Sequence, residues 1–224
     1  MQVAGAGLTI GEASLPAVVD FERGRLFVWS LGTESSGVPP VWAATRNRAG
    51  IDFLDSLSDA AADALADRFI RVKRPRDVAI VSIHWGSNWG YDVSQAQIRF
   101  AHRLIDGGID IVHGHSSHHP RPIEVYRDKL VLYGCGDFLN DYEGIGGHEQ
   151  YRGDLVLMYF PAIEPETGRL LTLRMVPLRV RKMKLNRASA SEAKWLQASL
   201  TRESKQFGCR VELRADGSLA LHWA

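Results

Sequence analysis

The sequence predicts an α/β fold with mixed sheets, and three observations predict it. An almost uninterrupted apolar run over 78–83 precedes a capped amphipathic helix, and a second short apolar run follows over 109–112. Runs of that length suit strands covered on both faces, the habit of parallel sheets, and strand–helix–strand is a βαβ unit with a right-handed crossover. Beyond it, short apolar segments alternate with turn residues and read as antiparallel hairpins.

Length and composition set the bounds. At 224 residues the chain is sized for a single domain, 1–224. Apolar residues at 45% and charged residues at 24% sit near the globular average, which excludes a disordered chain. Charges nearly cancel, 27 basic against 26 acidic, which excludes a globally basic polyanion binder but not a local patch. Cys135 and Cys209 are too few for a disulfide scaffold and lack C-x-x-C spacing, so they read as reduced thiols of a cytoplasmic-type protein. No apolar run approaches the ~18 residues a membrane span needs. The first basic residue is Arg23, so there is no charged leader ahead of it, and the chain as given is expected to be soluble.

The elements follow in order. Gly5, Gly7 and Gly11 make the opening a glycine-rich loop, since no strand precedes them and their spacing departs from G-x-G-x-x-G. Val18-Val19 and the run 26–29 form a hairpin around Glu22, Arg23 and Gly24. Gly32, Gly37, Pro39 and Pro40 make 30–49 a loop. Ala61, Leu65 and Phe69 recur at helical spacing over 58–71, and Pro75 marks the stop. After the strand at 78–83, Ser94 and Gln97 have capping-box spacing; Ile98, Ala101 and Ile105 line one face, and Gly107-Gly108 end the helix. The strand over 109–112 leads to a hairpin, 124–126 with 130–133, turning at 127–129. Strands follow over 155–160, broken by Pro161, and 170–180. A second capping box, Ser189 and Glu192, opens a helix over 189–207 whose apolar face carries Trp195 or Leu196, Leu200 and Phe207, with Gly208 just past its end. The tail, 211–223, turns back at Asp216-Gly217.

Five of the eight histidines, His84, His113, His115, His118 and His119, fall in one stretch. His84 follows the strand 78–83 and His115 closely follows 109–112. Because the helix between makes these strands parallel, both imidazoles emerge at one carboxyl-end edge, where α/β sheets bind ligands. Neighbouring strands are about 4.8 Å apart, so the two can share a metal. Gly134-Cys135-Gly136-Asp137 follows the strand 130–133; its glycines permit close backbone approach, and Asp137 suits a ligand or a histidine's hydrogen-bond partner. Asn140, Asp141 and Glu143 continue that polar loop. Imidazole with carboxylate suits Mn, Fe or Zn, while the absence of thiolates argues against a structural zinc. His102, His148 and His222 read as ordinary hydrogen-bonded histidines, and Trp85 and Trp89 as pocket wall or core. Arg174, Arg179, Arg181, Lys182, Lys184 and Arg187 read as a solvated face, with anion or nucleic-acid binding the lesser reading.

Five ordered motifs resemble the CapA family of capsule and poly-γ-glutamate synthesis proteins, within the metallophosphoesterase superfamily. They are Ser82-Ile-His-Trp-Gly86, Leu104-Ile-Asp-Gly-Gly108, Asp110-Ile-Val-His-Gly-His115, Pro122-Ile-Glu-Val-Tyr126 and Leu132-Tyr-Gly-Cys-Gly-Asp-Phe138. The dense resemblance covers 78–143, and a weaker one covers 5–29. It implies a four-layer α/β/β/α sandwich around a dinuclear centre of divalent metal ions, Mn, Fe or Zn. By matching motifs, it implies that His84, His115 and His118 are metal ligands, with His84 and His118 taking part in catalysis. His119 is an alternative to His118 that spacing does not separate. Asn88 stands where the family often has an acidic residue, and Asp137 where it commonly has Asn; both are expected on the substrate side or behind the ligands. The family's leading Gly-Asp strand and Asn-Asn-His motif have no counterpart upstream of Gly5. The chain is therefore expected to be the carboxyl-terminal portion of the domain, N-terminally incomplete, with one metal position under-coordinated and an apolar sheet face or edge uncovered, inviting a homodimer.

The resemblance implies metal-assisted phosphoester hydrolysis on a small-molecule or polymer substrate, with no nucleic-acid partner. The rival from another class is a non-catalytic module that binds polymer or partner proteins in capsule or polyglutamate synthesis or export. Metal content discriminates, because the enzyme needs stoichiometric metal and the binding module does not.

Overall fold

The computed structural model describes residues 2–140 and 145–224. In chain order the elements are β1 (Ala6–Gly7), α1 (Ile10–Ala13), β2 (Ala17–Phe21), β3 (Gly24–Thr33), β4 (Gly50–Ile51), β5 (Phe53–Leu54), α2 (Asp59–Ile70), β6 (Val78–His84), α3 (Gln95–Asp106), β7 (Ile111–His115), β8 (Ile123–Tyr126), β9 (Lys129–Leu132), β10 (Leu155–Glu164), β11 (Arg169–Arg181), β12 (Lys184–Arg187), α4 (Ala190–Ser204), β13 (Arg210–Leu213) and β14 (Leu219–His222).

The α/β class holds, and two sheets carry it. The first runs β2-β3-β6-β7-β9-β8, with β5 beside the end of β3. Its centre, β3-β6-β7-β9, is parallel, as the buried runs predict, and its edges are antiparallel hairpin partners. The second runs β10-β11-β14-β13, with β12 on β11. Side-chain alternation divides the first sheet's two faces. Val81, Ile83, Val112 and Val131 point toward α2 and α3, joining Phe69, Phe100 and Leu104. Ile111, Leu130 and Leu132 point the other way, into a core shared with Leu155, Leu157, Leu173 and Met175 of the second sheet and Leu196 and Leu200 of α4. Phe207, just beyond α4, stacks on Tyr133 with ring centroids 5.2 Å apart, tying the second sheet's helix to the first sheet.

Several boundaries differ from expectation, each for a tertiary reason. The strand expected at 109–112 pairs as 111–115. Asp110 is occupied as a buried anchor, its carboxylate taking Lys129 at 2.7 Å and the Ala79 N–H at 2.9 Å. The loop expected from residue 30 starts later, because parallel pairing carries β3 through Gly32 opposite His84. Pro161 does not end β10, which runs on to Glu164. β10 is an edge strand, where a missing N–H costs no ladder bond. The basic stretch forms an unforeseen hairpin, β11–β12, turning at Lys182 and Met183, both at φ +54°. Val19 and Phe21 lie exposed on the edge strand β2. Among the described residues no helix is long and apolar enough to cross a membrane.

Candidate metal centre and adjoining cleft

The site begins with strand register. β6 and β7 pair so that Ser82 stands opposite His113 and His84 opposite His115. All four alternate with residues that face the helices, so all four lie on the inner face, at its carboxyl end. Ser82 Oγ and His113 Nδ1 are 3.0 Å apart, and His84 Nδ1 and His115 Nδ1 are also 3.0 Å apart. The backbone behind them is pinned: the hydroxyls of Thr33 and Ser36 both donate to the His84 carbonyl. Trp85 turns to the helix side and donates its indole N–H to the Tyr133 carbonyl at 3.2 Å. Gly114 makes that possible, since a Cβ there would collide with the indole nitrogen.

Burial sets the charge state. His115 is pushed down to about 3 by desolvation, then by His113 and His84. His84 is lowered by burial and then by His118, and His113 is lowered by burial. These imidazoles are neutral at physiological pH, the form a metal requires.

His118 arrives on a different loop. Asp137 Oδ2 lies 2.9 Å from His118 Nδ1 and also accepts from Asn140. The loops meet at Arg121, a buried residue whose N–H donates to the Gly134 carbonyl and whose guanidinium donates to the Asp92 carbonyl. Gly134 has no room for a side chain against Arg121.

Two of these donors fit a divalent ion. Neighbouring nitrogens each about 2.1 Å from one ion stand roughly 3 Å apart, the separation of the His84 and His115 nitrogens. Among the described residues no three His, Cys, Asp or Glu side chains gather at ligand spacing. His84 and His115 therefore supply two donors of a coordination shell rather than a complete one.

The other expected residues separate. His119 is fully buried, stacked on Tyr151 at 4.7 Å with Tyr91 edge-on at 4.8 Å. It belongs to the packing under the loop, so His118, not His119, faces Asp137. Asn88 is exposed and ties loops together, its carbonyl accepting the His118 N–H and its side chain the Ser116 hydroxyl. Asp141 and Glu143 lie outside the described residues. His102 pairs with Glu124 at 2.9 Å, away from the other histidines, as an ordinary hydrogen-bonded group.

Sequence reasoning missed a cavity of about 390 Å³ beside His118 and Asp137. Its lining includes Trp89, His148, Arg152, Arg179 and Arg181. Trp89 stacks on His148 at 4.3 Å. No local signal joins these residues, because Arg179 and Arg181 come from β11 of the second sheet while Trp89, His148 and Arg152 come from separate loop segments.

Comparison with known proteins adds the following. The sequence model of the family described as bacterial capsule synthesis protein PGA_cap matches residues 1–142. The chain is 52% identical over 222 residues to a "Probable polyglutamine synthesis accessory protein" of Mycobacterium tuberculosis (strain ATCC 25618 / H37Rv), covering 96% of this chain and 57% of that protein. It is 28% identical over 142 residues to the PGA biosynthesis protein CapA of Bacillus subtilis (strain 168), covering 63% and 35% respectively. With the capsule biosynthesis protein CapA of Bacillus anthracis it shares 30% identity over 83 residues, or 35% of this chain and 20% of that protein. The chain thus spans little more than half the length of its mycobacterial relative.

Proposed function

The chain belongs to the bacterial capsule synthesis protein PGA_cap family, and from that premise we propose that it serves the making of a capsule or glutamyl polymer through metal-assisted phosphoester hydrolysis. The observation that carries this reading is the pair of neutral imidazoles, His84 and His115, with Nδ1 atoms 3.0 Å apart on adjacent parallel strands. His84 and His115 would hold a divalent ion, Mn, Fe or Zn. Bound there, the ion would supply Lewis-acid polarisation of an ester oxygen. His118 handles the proton. Asp137 accepts its Nδ1–H at 2.9 Å, which fixes the tautomer and makes Nε2 the nitrogen that takes or returns a proton at the leaving oxygen. Trp85 and Gly114 keep the strand ends rigid, so the two donors meet an ion without rearrangement.

The second reading, a non-catalytic module that binds polymer or partners, is favoured by one observation: no third His, Cys, Asp or Glu side chain joins the pair among the described residues. Calorimetric titration with Mn²⁺ and Zn²⁺ separates the two. The parent should take up stoichiometric metal, and His84→Ala and His115→Ala should each lose it. His102→Ala should bind like the parent, and Asp137→Asn should leave metal uptake near the parent's while lowering phosphoester turnover by about 10–100-fold, because Asp137 orients His118. Metal uptake by His84→Ala equal to the parent's would remove the hydrolase reading and put the binding module first.

A further inference from the structure

The guanidinium of Arg121 has no part in the metal-site reading. Only 2% of the residue is exposed, and the group donates to the Asp92 carbonyl. Its Nε is buried without a hydrogen-bond partner. Among the described residues no carboxylate forms an ion pair with it, and Asp92 acts on it only from longer range. Desolvation outweighs that influence and lowers the Arg121 pKa, but a guanidinium does not give up its proton in a protein. A positive charge therefore sits in the interior with a neutral amide oxygen as its acceptor, an unfavourable arrangement unless an anion lies close by.

A second buried donor faces the same point. Gln97, 5% exposed, is oriented by the capping box of α3: its Oε1 accepts the Ser94 N–H at 3.1 Å, which turns Nε2 away from the cap. That nitrogen is buried without a partner. Gly86 brings the two donors together. A Cβ placed on Gly86 would stand 2.9 Å from Gln97 Nε2 and 3.1 Å from Arg121 Nη1, both hydrogen-bond lengths. One acceptor just beyond the glycine Cα can therefore take both. Gly86 holds φ +79°, which side chains rarely adopt, so glycine keeps that space open.

The surrounding groups select an anion over water, and a small anion over a large one. A water that accepts from two donors still needs acceptors for its own protons. The Gly86 carbonyl already accepts from Ser116, and the Asp92 carbonyl from Arg121. A halide only accepts, is about the size of a methyl group, and supplies the negative charge that Arg121 lacks. A phosphate or carboxylate exceeds the space of a single Cβ, and both donors are almost sealed from solvent.

We propose that Gly86, Gln97 and Arg121 form a buried chloride site that locks the 86–94 loop to the 116–121 loop. The first loop carries Trp89 and the second His118, both of which line the cleft, so the ion steadies that wall from behind. The site is independent of either reading of the function. Thermal unfolding in sodium chloride, sodium bromide and sodium gluconate at equal ionic strength tests it. The parent should melt about 2–4 °C higher in chloride or bromide than in gluconate, with a saturating dependence, because the folded state alone binds the ion. Gln97→Glu preserves the capping box, since Glu serves at that position, and places a carboxylate against Arg121. This variant should fold and should melt alike in all three salts, its own carboxylate standing in for the ion. Arg174→Met removes an arginine over Phe160 on the second sheet and should keep the parent's response. Crystals grown in bromide should show an anomalous peak within about 3.5 Å of Gln97 Nε2. A parent that melts alike in chloride and gluconate, a Gln97→Glu variant that responds like the parent, or a water without anomalous signal at Gly86 would each overturn the proposal. None of these readouts involves a divalent ion, so failure of the chloride site leaves the metal titration of His84 and His115 to be judged separately.

Discussion

His118 and His119 are chemically identical neighbours, and burial gives them opposite roles. His118 meets Asp137 at the cleft, whereas His119 lies among Trp89, Tyr91 and Tyr151 and is held down at about 4, mainly by desolvation. That depression makes a prediction. An unfolded histidine takes up its proton near pH 6.5, well before folded His119 does. Its contribution to stability is therefore complete above about pH 6.5 and is lost progressively as the pH falls toward 4. His119→Gln, which cannot charge, should flatten part of the fall in urea midpoint between pH 7 and 4.5. An unchanged pH slope would mean that His119 is already charged in the folded protein. The histidine cluster was legible in the sequence as a cluster. Which member faces the cleft was not, because spacing carries no information about which of two adjacent side chains turns inward.

Helix ends were the most legible elements, since their signals are local. Both capping boxes form: the Ser94 hydroxyl accepts from the Gln97 N–H and Ser189 from Glu192, with each third-position side chain reaching back. Ser94→Ala should cost about 1 kcal/mol in urea unfolding. It should leave metal uptake unchanged, because α3 packs against the sheet face opposite the histidines. A loss of metal uptake at full stability would mean that the 86–94 loop is set by this cap. Strand ends were less legible. Neither the two-residue shift of β7 nor the passage of β10 through Pro161 can be read locally. The first depends on Lys73 and Lys129 claiming Asp110, and the second on β10 lying at an edge.

At the scale of the molecule, both sheets and α4 share one core, in which Leu130 is fully buried with Leu155, Leu173 and Leu196. Leu130→Ala should cost about 2–5 kcal/mol. It should also lower the unfolding midpoint seen by near-ultraviolet and far-ultraviolet circular dichroism together. Separate transitions would mean that the sheets are energetically independent. This packing is what brings β11 and its arginines to the cleft beside His118, from more than forty residues further along the chain. The sequence by itself determined the α/β class, the parallel pair β6–β7, the helix caps, and the meeting of His84 with His115. Each of these follows from contiguous periodicity, turn chemistry or the geometry of one βαβ unit. Only the tertiary structure decided that His118 rather than His119 faces Asp137, that Asn88 ties loops, and that Arg179 and Arg181 line the cavity beside them. These depend on how two sheets pack face to face, which is settled by the sum of many distant apolar contacts and leaves no mark in any single stretch of chain.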